Sequence, residues 1–90
     1  MFVQTVTAPL EEWELWNERL RITADPPAAL VAAIAWKSDE GLVTAINLWD
    51  SPEAIADFFM ERVNPIVMTE GEPANKPQVR GAPLAVYIRR

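Results

Sequence analysis

The stretch from Ala29 to Ala56 constrains the fold more than any other part of this 90-residue chain. It alternates between two apolar faces, passes through a polar turn that ends at Gly41, and alternates again as far as Trp49. This period of two predicts β-strands, and a glycine in the turn supplies the positive φ that a tight hairpin needs. Ser51-Pro52-Glu53 follows at once, with a hydroxyl cap, a proline and a carboxylate in the order typical of a helix start. The stretch therefore predicts a β-hairpin that runs directly into a helix.

The residues before the hairpin predict one more strand and one more helix. Phe2 to Val6 alternates like a short strand. Thr7 is then expected to cap a helix that ends near Thr23, because prolines follow at positions 26 and 27. The spacing of three and four residues between its large side chains predicts one face packed against the sheet. These side chains are Leu10, Trp13, Trp16 or Asn17, and Leu20.

The residues after the hairpin complete the pattern. Asn64-Pro65 is expected to kink or end the second helix, because proline lacks a backbone donor and clashes with the preceding turn. Glu70 to Pro83 holds two glycines and three prolines and is predicted to be a loop. Leu84 to Ile88 is predicted to form the last strand. Residues 1–90 are therefore predicted to be one domain with the element order βαββαβ.

The predicted second strand is apolar on both faces. Leu30, Ala32, Ile34 and Trp36 are expected on one face, with Val31, Ala33 and Ala35 on the other. When helices cover one face of a sheet, the opposite face is normally polar and in contact with water. An apolar face that stayed exposed there would favour aggregation. We therefore expect a second copy of the chain to cover this face in a twofold homodimer. The alternative is a monomer in which the segment Glu70–Pro83 folds back over the sheet.

The composition excludes several classes of function. The chain has no Cys and no His, which removes thiolate nucleophiles, cysteine metal sites, the usual general base and the commonest haem ligand. The net charge of −5 and the scattered basic residues argue against nucleic-acid binding. No apolar run approaches the ~20 residues of a membrane span, and Met1-Phe2-Val3-Gln4 does not resemble a signal peptide. We expect a cytoplasmic protein without nucleic-acid or membrane partners.

One segment resembles a known group of proteins. Val43-Thr-Ala-Ile-Asn-Leu-Trp-Asp-Ser-Pro-Glu-Ala-Ile-Ala-Asp-Phe-Phe59 is similar to the strand-to-helix junction of the dimeric α+β barrel superfamily. In that group the strand ends in an aromatic residue, and a Ser-x-Glu-Ala type cap opens the helix. The antibiotic-biosynthesis-monooxygenase-like proteins resemble the chain most. The resemblance implies a ferredoxin-like α+β protomer, with a four-stranded antiparallel sheet and two helices on one face, which pairs to form a dimeric α+β barrel.

Two activities of this superfamily can be compared with the residues present. The haem-degrading branch uses an axial His and a Trp on the second helix, and the matching positions here hold Met68 and Phe58. A lone thioether is a poor anchor for haem iron, so no cofactor is expected. The antibiotic-biosynthesis-monooxygenase-like proteins imply cofactor-free oxygenation of an electron-rich aromatic, such as a polyketide phenol or anthrone. The substrate would be held as its anion in a dry pocket between sheet and helices.

The resemblance and the residue types together nominate a set of ligand-binding candidates, while catalytic residues stay unassigned. The candidates are Trp36, Asn47, Trp49, Phe58, Arg62, Asn64 and Tyr87, with Trp13 and Trp16 from the first helix. The ligand is expected to be a small apolar or aromatic molecule.

Each candidate also has a purely structural explanation. Any single one of the four Trp residues is better explained as part of a core or an interface. Asn47 lines a pocket, bonds across the dimer axis or lies at a wet edge, and the dimer face is favoured. Arg62 is expected to pair with an acidic residue, and Asn64 to serve the helix end. The glutamates at positions 11, 12, 14 and 18 are expected to serve the helix dipole and solubility.

The sequence therefore predicts a small-molecule-binding protein that resembles cofactor-independent monooxygenases and has an aromatic-lined pocket. Whether it is an enzyme is left open. The alternative is a non-catalytic structural or regulatory homodimer of the same fold, whose interior is filled by its own side chains.

Overall fold

The computed structural model of the chain describes residues 1–73, 77–86 and 88. The strands β1 (Phe2–Pro9), β2 (Leu30–Lys37), β3 (Leu42–Trp49) and β4 (Gln78–Pro83) form an antiparallel sheet in the order β2-β3-β1-β4. Helix α1 (Leu10–Leu20) connects β1 to β2. Helix α2 (Pro52–Phe58), a π-helical turn (Phe59–Val63) and helix α3 (Asn64–Glu70) connect β3 to β4. The predicted βαββαβ order and ferredoxin-like α+β fold are confirmed.

The first strand is longer than predicted, and the first helix is shorter. Thr7 pairs with Thr44 inside the sheet, so the expectation that it caps α1 is wrong. Pro9 has extended backbone angles and continues the strand, and the N–H of Leu10 donates to the carbonyl oxygen of Gly41 at 3.0 Å. The hairpin turn therefore satisfies a backbone donor that a side-chain cap would otherwise have served. Helix α1 stops at Leu20, before the left-handed Arg21, rather than near position 23.

The central hairpin and the start of α2 agree with the prediction. Gly41 has a φ of +77°, and Ser51 Oγ accepts a hydrogen bond from the Ala54 N–H at 3.2 Å. The pairing of β2 with β3 shifts by one residue between Leu30 and Ala32. Because one extra residue reverses the side of the sheet to which a side chain points, Leu30 does not share a face with Trp36 as expected.

The sheet has two different faces. The inner face, which lies under the helices, carries Gln4, Val6, Ala45 and Asn47. The outer face is the opposite side of the sheet and carries Ile34, Trp36, Thr44 and Ile46. On the outer face the side chains of Ile34 and Trp36 are 63% and 48% exposed.

The second helical region continues through its proline. A π-helical turn precedes Pro65, and the Asn64 N–H donates to the carbonyl oxygen of Phe59, five residues back. The wider π turn accommodates a residue that has no N–H and whose ring crowds the preceding turn. The sequence predicted a kink or an end at this point, and the structure contains a bulge followed by α3 instead.

The last strand lies earlier in the chain than predicted. The prediction of a strand at Leu84–Ile88 is wrong for residues 84–86 and 88, while Tyr87 lies outside the described residues; β4 occupies Gln78–Pro83 instead, inside the segment that was expected to be a loop. As the edge strand beside β1, β4 tolerates a glycine and a proline that would weaken a central strand. The ring of Phe2 covers Gly81 so closely that a Cβ on Gly81 would lie 2.5 Å from Phe2 Cε1.

Few side chains of the described chain are buried. The buried apolar residues are Ala8, Val43, Ala45, Leu48, Trp49 and Ala54. Most of them are small, and most lie on the inner face of the sheet or on α2. The helices therefore cover the sheet without filling the space beneath them.

Candidate functional site

A cavity of about 640 Å³ lies between the inner face of the sheet and the helices. Its volume falls in the range of roughly 300–1,000 Å³ that is usual for small-molecule sites. The lining is predominantly apolar, and five of its side chains are aromatic. These five are Trp13, Trp16, Trp49, Phe58 and Phe59.

A cluster of three polar groups forms the floor of this cavity. Gln4 on β1 and Asn47 on β3 are direct partners in the sheet, so their amides lie side by side on the inner face. Gln4 Oε1 accepts hydrogen bonds from Asn47 Nδ2 and Trp49 Nε1, both at 3.1 Å. No described residue bonds to Gln4 Nε2 or Asn47 Oδ1. One amide donor and one amide acceptor on the floor are thus available to a ligand.

The Trp49 side chain on the floor of the cavity packs against a residue of α2. Trp49 is only 3% exposed, and its ring lies 5.4 Å from that of Phe58 at an interplanar angle of 44°. The direct passage from β3 into α2, capped by Ser51, places Phe58 over the end of its own strand. The indole N–H of Trp49 is therefore fixed by packing as well as by its hydrogen bond to Gln4.

A second polar pair lies on α1. Glu12 and Trp16 are one helical turn apart, and both line the cavity. Glu12 Oε2 and Trp16 Nε1 are each buried without a hydrogen-bond partner in the described part of the chain. Native proteins pair most buried polar atoms, so each exception calls for an explanation.

Arg62 connects the helices and is not among the residues that line the cavity. Its Nη1 donates to the carbonyl oxygens of Leu20, at 3.1 Å, and Asp25, at 2.6 Å. Its Nη2 lies 3.6 Å from the Asp25 carboxylate, and its guanidinium lies 5.9 Å from the centre of the Phe58 ring. Arg62 thus attaches the end of α1 to the π-helical turn that borders the cavity.

The structure brings only some of the predicted site residues together. Asn47, Trp49 and Phe58 line the cavity. Trp36 does not, because it pairs with Thr44 on the outer face. Asn64 begins α3 and is not part of the lining, and Tyr87 lies outside the described residues. Of the three positions considered for Asn47, the structure shows the pocket, because the strand register places it on the inner face beside Gln4, and its position relative to a partner chain stays a prediction.

Sequence reasoning missed two residues of this site. Gln4 carries no signal of its role in the sequence, because that role depends on the pairing of β1 with β3, which the sequence does not specify. Glu12 was assigned to the helix dipole and solubility. A signal for Glu12 did exist: it stands four residues before Trp16 and eight before Leu20, on the same side of the helix.

The described residues also bear on other classes of function. No group of three or more acidic side chains there has the arrangement of a metal site. None of the helices is long and apolar enough to cross a membrane, within the same part of the chain. Met68, which the sequence resemblance matched to the axial His of the haem-degrading proteins, is 79% exposed and does not line the cavity.

Comparisons with known proteins identify the fold. No protein-family profile matches the sequence, and no curated protein matches it. The chain is similar to the crystal structure of a monooxygenase from the gene ActVA-Orf6 of Streptomyces coelicolor in complex with nanaomycin D. That similarity has 17% identity and a TM-score of 0.63, and it covers 99% of this chain and 92% of the other.

Two further structures extend the comparison. The first is SnoaB, a cofactor-independent oxygenase from Streptomyces nogalater, whose structure was solved as an asparagine-to-alanine mutant. It is 12% identical to this chain with a TM-score of 0.66, and the match covers 99% of this chain and 98% of SnoaB. A conserved protein from Methanosarcina mazei Go1 is 9% identical with a TM-score of 0.60, over 91% of each chain. The chain therefore has the ferredoxin-like fold of antibiotic-biosynthesis-monooxygenase-like proteins.

Proposed function

We propose that the cavity binds a small aromatic molecule and that the chain acts as a monooxygenase-like protein without a cofactor. The observation that carries the proposal is the Gln4–Asn47–Trp49 cluster on the floor of an otherwise aromatic and apolar cavity. Sites for small molecules commonly combine an apolar lining with a few fixed polar groups. The similarity of fold to SnoaB and to the ActVA-Orf6 monooxygenase, solved with nanaomycin D, supports the same class of activity.

The proposed chemistry takes its electrons from the substrate itself. A ring CH₂ group beside a phenolate or enolate becomes a carbonyl, one atom of O₂ enters that carbonyl, and the other leaves as water. Gln4 Nε2 would donate to the anionic oxygen of the substrate and so favour the anion that reacts with O₂. The aromatic walls would exclude bulk water and hold the ring plane.

Oxygen uptake with anthrone and a panel of phenols is the direct test. We expect consumption of O₂ above the buffer rate, with substrate and O₂ consumed in equal amounts. Asn47→Leu should lower this rate, whereas Asn64→Leu, outside the cavity, should not. If no substrate gives uptake above buffer, the oxygenase part of the proposal is wrong. Quenching of Trp fluorescence by the same compounds then tests binding separately.

We further propose that a second copy of the chain covers the outer face and completes a dimeric α+β barrel. The exposed Ile34 and Trp36 on that face support this assembly, because burying such side chains stabilises association. The cytoplasmic location stays a prediction from the sequence. A non-catalytic structural or regulatory homodimer is less well supported, because its interior should be filled by its own side chains and the cavity is open.

A further inference from the structure

We propose that Glu12 and Trp16 form a recognition pair for one edge of the ligand, an aromatic ring that carries a hydroxyl group beside an ether or carbonyl oxygen. The ligand hydroxyl would donate to Glu12 Oε2, and the neighbouring oxygen would accept from Trp16 Nε1. This inference rests on the proposed function, since it assigns ligand chemistry to the same cavity.

The first support is that Glu12 Oε2 and Trp16 Nε1 are buried without hydrogen-bond partners among the described residues. Glu12 Oε2 can only accept a hydrogen bond from a donor, and Trp16 Nε1 can only donate one. Leaving such a group unpaired costs stability, and a ligand in the cavity would supply a partner for both atoms.

The second support is geometric. Residues four apart on a helix have Cβ atoms about 5–6 Å apart, so Glu12 and Trp16 present an acceptor and a donor at neighbouring points of one wall. An aromatic ring with a hydroxyl beside an ether or carbonyl oxygen matches this arrangement, because the hydroxyl can donate and the neighbouring oxygen can accept. The guanidinium of Arg19 lies 5.4 Å from the centre of the Trp16 ring and helps to hold the indole in place.

The third support is the distribution of charge around the cavity. Among the described residues that line it, Glu12 is the one with a formal charge. The two arginines near the helices are engaged elsewhere: Arg62 with Asp25 and Leu20, and Arg19 with Glu70 at 3.7 Å. Neither ion pair of the described residues involves Glu12, so a ligand hydroxyl could donate to it without displacing a cation.

The polar floor on the sheet and the polar pair on α1 would each bind a different part of the ligand. Gln4 and Asn47 offer a donor and an acceptor on the sheet, while Glu12 and Trp16 offer an acceptor and a donor on α1. A ligand with polar groups at two positions of an aromatic frame would contact both. The aromatic side chains between the two polar clusters would pack against its rings.

Calorimetric titration with two matched compounds tests the proposal. The probe 3-methoxy-2-naphthol carries the hydroxyl, and 2,3-dimethoxynaphthalene replaces it with a second ether. We expect the wild-type protein to bind the naphthol about tenfold more tightly, the size of effect typical of one buried hydrogen bond. Glu12→Met should bind both compounds equally. Trp16→Phe should weaken both by a similar factor, because the methoxy oxygen is common to them.

Two further variants keep the result interpretable. Glu11→Met changes an exposed carboxylate beside Glu12 and should leave the tenfold preference intact. Glu12→Gln keeps an acceptor oxygen and should retain part of the preference if Glu12→Met folds poorly. An equal affinity of the wild-type protein for both compounds, or a preference that survives in Glu12→Met, overturns this inference and leaves the proposed function standing. If neither compound binds, this inference is wrong, and the oxygen-uptake and fluorescence measurements with anthrone and phenols decide the proposed function separately.

Discussion

Gln4 and Trp49 are joined across neighbouring strands by a hydrogen bond of 3.1 Å from the indole Nε1 to the amide Oε1. The same oxygen also accepts from Asn47, so one atom of β1 fixes two side chains of β3. The polar floor of the cavity therefore depends on the register between these strands. A change at Gln4 should affect stability and ligand binding together.

Replacing Gln4 with Leu should destabilise the fold by about 1–3 kcal/mol, because Trp49 Nε1 and Asn47 Nδ2 lose their common acceptor. Urea denaturation measures the loss. Gln78→Leu, at an exposed position of the edge strand β4, is the matched control and should change stability much less. Equal losses in the two variants would show that the hydrogen bonds of Gln4 contribute nothing specific.

Replacing Gly81 with Ala should destabilise the protein by about 1–3 kcal/mol, because the new Cβ would displace the ring of Phe2. The cost should largely disappear in a Phe2→Ala background, where the ring is absent. A double-mutant cycle monitored by thermal unfolding measures this coupling. Additive effects of the two substitutions would contradict the close approach of Phe2 to Gly81.

Replacing Arg62 with Leu should cost more stability than replacing Asp25 with Asn. The first change removes donors from two backbone carbonyl oxygens, with an expected cost of about 1–3 kcal/mol. The second removes only an ion pair whose acid is 64% exposed, which should cost less than about 1 kcal/mol. Chemical denaturation of both variants gives the ranking, and the reverse order would show that the ion pair dominates.

Replacing Trp36 with Lys should convert the proposed dimer into a monomer, because a charged group on the outer face would lose its water at the interface. Sedimentation equilibrium measures the mass of each form. Met68→Lys changes another exposed apolar residue, on α3, and should leave the mass unchanged. A wild-type mass of one chain would disprove the dimer.

Local signals predicted the centre of the fold well. Ser51-Pro52 starts α2, and Gly41 closes the hairpin, because each acts through its own backbone angles and hydrogen bonds. The two ends of the chain were predicted less well. Strand β4 is stabilised by pairing with β1 rather than by its own residues, so its glycine and proline indicated a loop.

The candidate site was predicted in part for the same reason. Trp49, Asn47 and Phe58 lie in or next to the recognisable hairpin-to-helix segment, and they do line the cavity. Trp36 pairs with Thr44 on the outer face and does not line the cavity. Periodicity shows which side chains of β2 share a face, but it does not show which of two apolar faces lies under the helices.

The π-helical turn at Phe59–Val63 holds one residue more than a regular α-helical turn would. Because this residue is taken up within a single wide turn, α3 keeps nearly the rotational phase that an uninterrupted α-helix would give it. Val67 therefore still lines the cavity, and Glu70 still lies beside Arg19. A residue inserted into α3 itself would have no such bulge to absorb it and would rotate the side chains that follow by about 100°.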